Sequence, residues 1–361
     1  MNAHPFTRVA KLVVIGAWML AGAAAGVESN ALQRPASLST HARDAVLLAV
    51  TRVDKRLIAA GERGIVLFSD DDGASWKQAQ VPVSVSLTDI HFPTSRKGWA
   101  VGHSGIVLHS ADAGATWVRQ LDGTQAAALM LSAAQQAATE NNHDNAAQAR
   151  LRDAQRRAAE GPDKPFFAVH FFDEQRGFIA GAYGLFFSTE DGGRSWLPCD
   201  TRLANPEARH LYSISALGGS VYIAGEQGAL FRSADGGRTF SAIKTPYAGS
   251  YFGVTLLAHG KLMIYGLKGH AYRSDDAGAT WRKIDTGTQA GLTAALPLAG
   301  GSFVMVTQAG EVLRGSNDGQ AVQPMPVPRR FPYSGITQAA DASLILSGVR
   351  GIIRLAAGQP K

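Results

Sequence analysis

The sequence predicts an all-β fold in which a four-stranded sheet recurs seven times around a ring. Three observations carry this: a glycine-anchored phrase with seven copies, a second signature trailing five of them, and a unit length that suits one small sheet. The phrase is Ala59-Ala60-Gly61-Glu62-Arg63-Gly64-Ile65-Val66-Leu67, which returns as Ala100–Leu108 and as Ile179–Phe187. Its second glycine falls at 64, 105, 184, 228, 269, 310 and 351, with successive gaps of 41, 79, 44, 41, 41 and 41. The one long gap is a repeat plus an insertion of about 38 residues. Fixed-period self-similarity of this kind marks a repeat architecture.

Each copy reads as a β-hairpin, because apolar and β-branched residues flank a turn whose glycines reach angles other residues avoid. The second signature is Ser69-x-Asp71-x-Gly73-x-Ser75-Trp76. It recurs around Asp112 with Trp117, Asp191 with Trp196, Asp235 with Phe240, and Asp276 with Trp281. This is the Asp-box, or BNR, repeat. A short carboxylate can accept hydrogen bonds from the backbone of its own turn, glycine permits the reversal, and the aromatic packs back over the hairpin. The spacing and terminal Glu of an EF-hand are missing, so Asp71, Asp112, Asp191, Asp235 and Asp276 read as structural and not as calcium ligands.

A unit of 41 residues holds four strands a–d with their turns, the size of a propeller blade. The expectation is a seven-bladed β-propeller spanning 44–361. Strand a is an apolar run such as Leu87–Phe92, b ends at the first glycine, c follows the second, and d begins at the aromatic. Blade six carries a degraded box (Ser316-Asn317-Asp318-Gly319) and blade seven none. Blade seven thus lacks an outer strand, and residues 26–43, near Leu32–Thr40, are expected to supply it and close the ring, with Pro35 tolerated at an edge. The insertion 124–160, between blades two and three, is rich in Ala, Gln and Arg and free of Gly and Pro until its end. It predicts a helical hairpin with apolar stripes Leu129/Met130/Ala133/Ala137 and Leu151/Ala154/Ala158, broken at Glu140–Asn145.

Residues 1–25 read as an export signal: Arg8 and Lys11, then the apolar run Leu12–Leu20, then Ala23-Ala24-Ala25 at the cleavage site. That predicts an exported, periplasmic protein without an integral membrane segment in its mature chain. Formal charge is +6, of which Arg8 and Lys11 contribute 2, leaving +4 without any basic block, which argues against nucleic acid. The single cysteine, Cys199, has no intramolecular partner and should be buried.

Chemistry is hard to find. The histidines show no pair at metal-ligand spacing on one element, and no Walker, Gly-x-Ser-x-Gly or HExxH phrase occurs. No metal or cofactor is expected. His91 and His170 share a repeat position, which suggests adjacent inner strands and a hydrogen bond within each blade.

The Gly-x-x-Gly hairpins, the Asp-boxes with Trp, the signal and the late Arg329-Arg330 loop together resemble the photosystem II stability/assembly factor-like family of Asp-box propellers. The resemblance covers the mature chain except the helical insertion. It implies a non-enzymatic scaffold, monomeric, serving a membrane protein complex or its subunits. The alternative is a ligand- or glycan-binding propeller, extending to a sialidase-like glycosidase. That chemistry needs an arginine cluster and a Tyr activated by an acid. The Phe-Arg-Ile-Pro phrase of sialidases survives only as the scrambled Arg329-Arg330-Phe331-Pro332.

In a four-stranded blade the b–c turns and the d–a connections share one face, and the Asp-boxes lie on the other. The candidate partner surface is therefore the b–c face. Its turns offer Arg63, His103, Tyr183, Lys268 and Arg350. Its d–a connections offer Arg209, His210, Tyr247, Tyr251 and the loop Arg329-Arg330-Phe331-Pro332-Tyr333, with the helical insertion beside them. Arg and aromatic residues are the side chains that anchor interfaces.

Overall fold

The computed structural model describes residues 31–257, 260–316 and 321–357; the expected export signal, residues 1–25, and the core of the degraded blade-six box lie outside them. Blade one is β1 (Leu47–Val53), β2 (Arg56–Gly61), β3 (Val66–Ser69) and β4 (Lys77–Gln78), antiparallel in chain order. Blade two repeats this with β5 (Leu87–His91), β6 (Gly98–Gly102), β7 (Val107–Ser110) and β8 (Val118–Leu121). Blade three has β9 (Phe166–Phe171), β10 (Gly177–Gly181), β11 (Phe186–Thr189) and β12 (Leu197–Pro198). Blade four has β13 (Leu211–Leu217), β14 (Ser220–Gly225), β15 (Leu230–Ser233) and β16 (Ser241–Ala242). Blade five has β17 (Tyr251–Leu256), β18 (Leu262–Gly266), β19 (Ala271–Ser274) and β20 (Arg282–Lys283), and blade six β21 (Leu292–Pro297), β22 (Phe303–Thr307), β23 (Val312–Gly315) and β24 (Val322–Met325). Blade seven, β25 (Tyr333–Gln338), β26 (Leu344–Gly348) and β27 (Gly351–Leu355), has three strands among the described residues.

Each strand a touches the next, and β25 returns to β1, so the seven sheets close a ring. The b strands are buried along nearly their whole length, because both of their faces are covered by neighbouring blades. Aromatic rings fill the seams: Trp99 of blade two stacks on Phe171 of blade three at 3.5 Å. Cys199 is buried as expected, and burial pushes its thiol up to about 12.

The expected role of the N-terminal segment is corrected. Residues 31–39 do not pair with β27 but dock on blades one and two. Ala36 N–H donates to Val81 O (3.0 Å), Ser84 N–H to Ala31 O (2.8 Å), and Arg119 Nη1 to Leu32 O (3.3 Å). Leu32 is buried among Val81, Val83 and Val85. What the segment supplies to blade seven is a d–a connection and not a strand d. At each b–c turn the second glycine lies against the following connection: Gly64 on Val83, Gly184 on Asn205, Gly269 on Thr288. At Gly351 that place is taken by Arg43 and Asp44, just before β1, where a methyl group would meet Arg43 O at 2.0 Å. The physical reason is reach, since the chain must run past this turn to enter β1 at the ring's centre. Leu32→Ala should accordingly cost about 2–3 kcal/mol, read as a lower melting temperature. An unchanged curve would mean that the segment is only lightly held.

The insertion forms α1 (Gly123–Glu140) and α2 (Asn145–Glu160), placed between β8 and β9. Asp122 caps α1 by accepting from Thr124 N and Gln125 N, while Gln125 Oε1 accepts from Asp122 N–H; Asp144 caps α2. The buried stripe of α1 is Ala126, Ala134 and Ala138, one step round from the expected Ala133 and Ala137, and Ala126 joins the core shared by blades two and three. Among the described residues no helix is long and apolar enough to cross a membrane.

Candidate protein-docking face

The turns sort onto two faces as topology requires. Asp-box turns neighbour the a–b turns of their own blades, with Ala113 N–H on Arg96 O and Gly192 N–H on Gln175 O, both 2.8 Å. The b–c turns meet the d–a connections on the opposite face, as the glycine contacts above establish.

In every box the carboxylate is spent inside its turn. Asp71 accepts from Ser69 Oγ, Ser75 N–H and Ser75 Oγ at 2.6–2.9 Å, and the same pattern holds around Asp112, Asp191, Asp235 and Asp276. Hydrogen bonds, led by the Ser75 hydroxyl, bring the Asp71 carboxyl down to about 2.

Near the channel axis, His91 and His170 do sit on adjacent inner strands, their rings 4.5 Å apart. The expected bond within each blade is replaced by one across the seam. His91 Nδ1 accepts from Phe171 N–H (3.2 Å), and Asp89 Oδ2 accepts from Val169 N–H (2.9 Å). Burial, with the neighbouring His170, lowers His91 to about 3; burial alone lowers His170 to about 4; burial raises Asp89 to about 7. These shifted groups hold the inner edge of one blade to the next. Among the described residues no cluster of three or more ligands could hold a metal.

On the b–c face, Arg63, Tyr183 and Lys268 occupy one turn position with φ of 53–55°. They are exposed, as are His103, Arg329, Arg330 and Arg350. Arg63, Lys268, Arg329, Arg330 and Arg350 have no ion pair among the described residues, whereas Arg209 is paired with Glu207 at 2.7 Å. His210 is half-buried and structural: its Nδ1 accepts from Tyr183 N–H (2.8 Å) and its own N–H donates to Glu226 (3.1 Å). Tyr247 is half-buried and stacked on His270 at 3.8 Å. Tyr251, Phe331 and Tyr333 leave the candidate surface altogether, since their rings are 0–5% exposed and fill the seams between blades. Of the carboxylates beside these turns, Glu62 accepts from Val46 N–H and Glu311 from the hydroxyls of Thr288 and Thr307, while Asp44, next to the Gly351 turn, is exposed.

A sequence profile described as "Photosynthesis system II assembly factor YCF48" matches residues 68–141 and 158–341. The chain belongs to the YCF48 family. The profile runs through α1 and breaks over residues 142–157, the inter-helix loop and most of α2, so within the insertion it is α2 that this YCF48 relative does not share with the profile. Among solved structures, one described as YCF48 bound to D1 peptide superposes with a TM-score of 0.63 at 14% identity, over 88% of this chain and 95% of the other. YCF48 from Cyanidioschyzon merolae gives 0.63 at 12%, over 90% and 98%. A virginiamycin B lyase from Staphylococcus aureus gives 0.66 at 13%, over 90% and 98%, so the same ring also houses an enzyme. At these identities the superpositions show the fold alone. No curated protein matches the sequence.

Proposed function

We propose that this YCF48-family protein is an exported, non-catalytic scaffold that docks a segment of a membrane protein complex on its b–c face. The observation that carries the reading is a cluster of five exposed cations without ion pairs among the described residues, Arg63, Lys268, Arg329, Arg330 and Arg350, on the face that also bears exposed His103 and Tyr183, whereas the box aspartates opposite are engaged inside their own turns. Unpaired surface cations contribute little to the fold. They do favour encounter with an acidic partner and fix its register. Family membership and the relative solved with a D1 peptide support a subunit of a membrane complex as that partner. Export rests on the signal-like residues 1–25, cleaved near Ala25.

The test uses the mature protein as bait for solubilised membranes. Reversing Arg329, Arg330 and Arg350 to Glu should abolish co-purification of the partner and leave the melting temperature nearly unchanged. Retained capture by that variant, with loss when the Asp-box face is altered instead, would place the interface on the wrong side.

Ligand binding is the second reading, favoured by a groove of about 590 Å³ between the helical hairpin and blade three. Met130, Ala134, Arg157, Tyr183, Leu203 and Ala208 line it, and its size lies within the range of small-molecule sites. Binding of an oligosaccharide by the charge-reversed protein would favour this reading.

A further inference from the structure

The repeat exposes a position that carries a hydroxyl in three blades, an aromatic ring in three others and Leu48 in blade one. In all seven blades the a–b pairing slips by one residue near the start of strand a, leaving a bulge residue there: Leu48, Thr88, Phe167, Tyr212, Phe252, Thr293 and Ser334. A bulge frees its side chain from the alternation of the strand and re-aims it. Because strand a is innermost and begins at the d–a connection, these residues ring the channel mouth on the b–c face.

In blades two, six and seven the bulge residue has a structural task. Thr88, Thr293 and Ser334 hydroxyls donate to the first carbonyl of the next blade's strand a, at Phe166, Tyr333 and Leu47, over 2.6–2.8 Å. Blades three, four and five forgo the hydroxyl for an aromatic ring. Phe167 lies 5.5 Å from Tyr212, and Tyr212 lies 5.8 Å from Phe252, across two seams. His210 joins the group at 6.1 Å from both Phe167 and Tyr212. All are half-buried, so ring surface remains open to the mouth. Three consecutive blades have exchanged a seam clip for accessible apolar surface.

We propose that this cradle receives an aromatic or aliphatic side chain from an acidic, extended segment of the docked partner. The inference rests on the docking reading above and adds to it what the partner must contain. Charge complementarity favours an acidic polypeptide, since the turns round the mouth present Arg63, Lys268 and Arg350 without ion pairs among the described residues, Lys268 on a cradle blade, while Glu226 beside Tyr212 is engaged by His210 N–H. The rings are tilted against one another by 44° and 76°, which forms a cleft for one compact side chain and offers no flat platform for a row of sugars.

The probe is a short fluorescein-labelled synthetic peptide rich in Glu and Gly with one central Phe, followed by anisotropy on the mature chain. A matched peptide with Ala in place of Phe, a neutral Ser/Gly peptide with Phe, and cellohexaose complete the set. The Phe peptide should bind about tenfold more tightly than its Ala counterpart, the scale expected for burying one such ring. The variant Phe167→Thr/Tyr212→Thr/Phe252→Thr installs the residue that blades two and six carry at this place. It should melt near wild type and bind both acidic peptides equally. A single Tyr212→Thr variant, should the triple not fold, is expected to lose part of the preference. An unchanged Phe-over-Ala ratio in a folded cradle variant overturns the cradle while leaving the charged face standing. Equal binding of acidic and neutral peptides overturns the docking reading instead, failure of every peptide to bind overturns both, and binding of cellohexaose alone replaces the peptide by a glycan.

Discussion

Replacing Trp117 by alanine is expected to cost the folded state about 3–5 kcal/mol, the range for emptying a buried Trp site. Trp117 is 4% exposed, and its ring meets Phe92 edge-on at 5.9 Å. Its ring N–H donates to Gly114 O at 3.0 Å, and its backbone N–H donates to Gln80 O of blade one at 3.0 Å. The indole therefore closes its own turn while the same residue ties two blades together, and no neighbour can move in without opening that seam. Asp112→Ala removes the acceptor for Ser110 Oγ, Thr116 N–H and Thr116 Oγ1, for a smaller loss of about 1–3 kcal/mol. Denaturant melts of both variants check the order. A variant that melted normally yet failed to capture the partner would recast the Asp-box face as the binding site.

Acid should weaken the ring in two stages. His91 and His170 are held neutral in the folded state, at about 3 and about 4, while their unfolded counterparts take up protons near the ordinary 6.5. The unfolded chain then binds more protons below 6.5, so stability falls as pH drops from there toward 4. Asp89, raised to about 7, acts in the opposite sense: its stabilisation is full below the ordinary carboxylate value and is lost as pH rises through 7. Two imidazoles outweigh one carboxyl, and because all three line a channel, water reaches them and moderates the slope. The second stage belongs to the Asp-boxes. Led by the hydroxyl hydrogen bonds of Ser75 and Thr280, Asp71 and Asp276 are lowered to about 2, and their contribution is present above the ordinary value and lost as pH falls through 2. Denaturation midpoints against pH should show a slope between 4 and 6.5 that reverses in sign in His91→Asn/His170→Asn, where Asp89 alone remains, and survives in a box variant. An identical slope in the double-histidine variant would assign the acid response elsewhere.

The repeat made most of the fold legible. Seven glycine phrases in register predict seven hairpins because only a few residue types satisfy a tight turn, and a turn is decided by residues adjacent in the chain. The Asp-box could be read as structural for the same reason, since Asp71, Ser75 and Gly73 meet one another within a single loop. The helical hairpin, with its break at Glu140–Asn145, was likewise a local matter of propensity and capping. Periodicity also placed Arg63, Tyr183 and Lys268 at one turn position, and the structure finds all three exposed there.

Other features depend on contacts between blades, which no single repeat encodes. Sequence spacing could not tell that Arg43 and Asp44 serve blade seven while Leu32 is buried beside blade one, because both are consequences of ring closure. Nor could it tell that Tyr251 and Tyr333 fill seams while Phe167, Tyr212 and Phe252 stay open to the channel mouth. All are aromatic residues at the start of a strand a. They differ by one bulged residue, and a bulge turns a side chain from the buried seam to the solvent-filled axis. The sequence by itself determined how many blades there are and how each turn is built. Only the packed ring decided which rings are core and which charges stay unpaired, because both depend on contacts between blades.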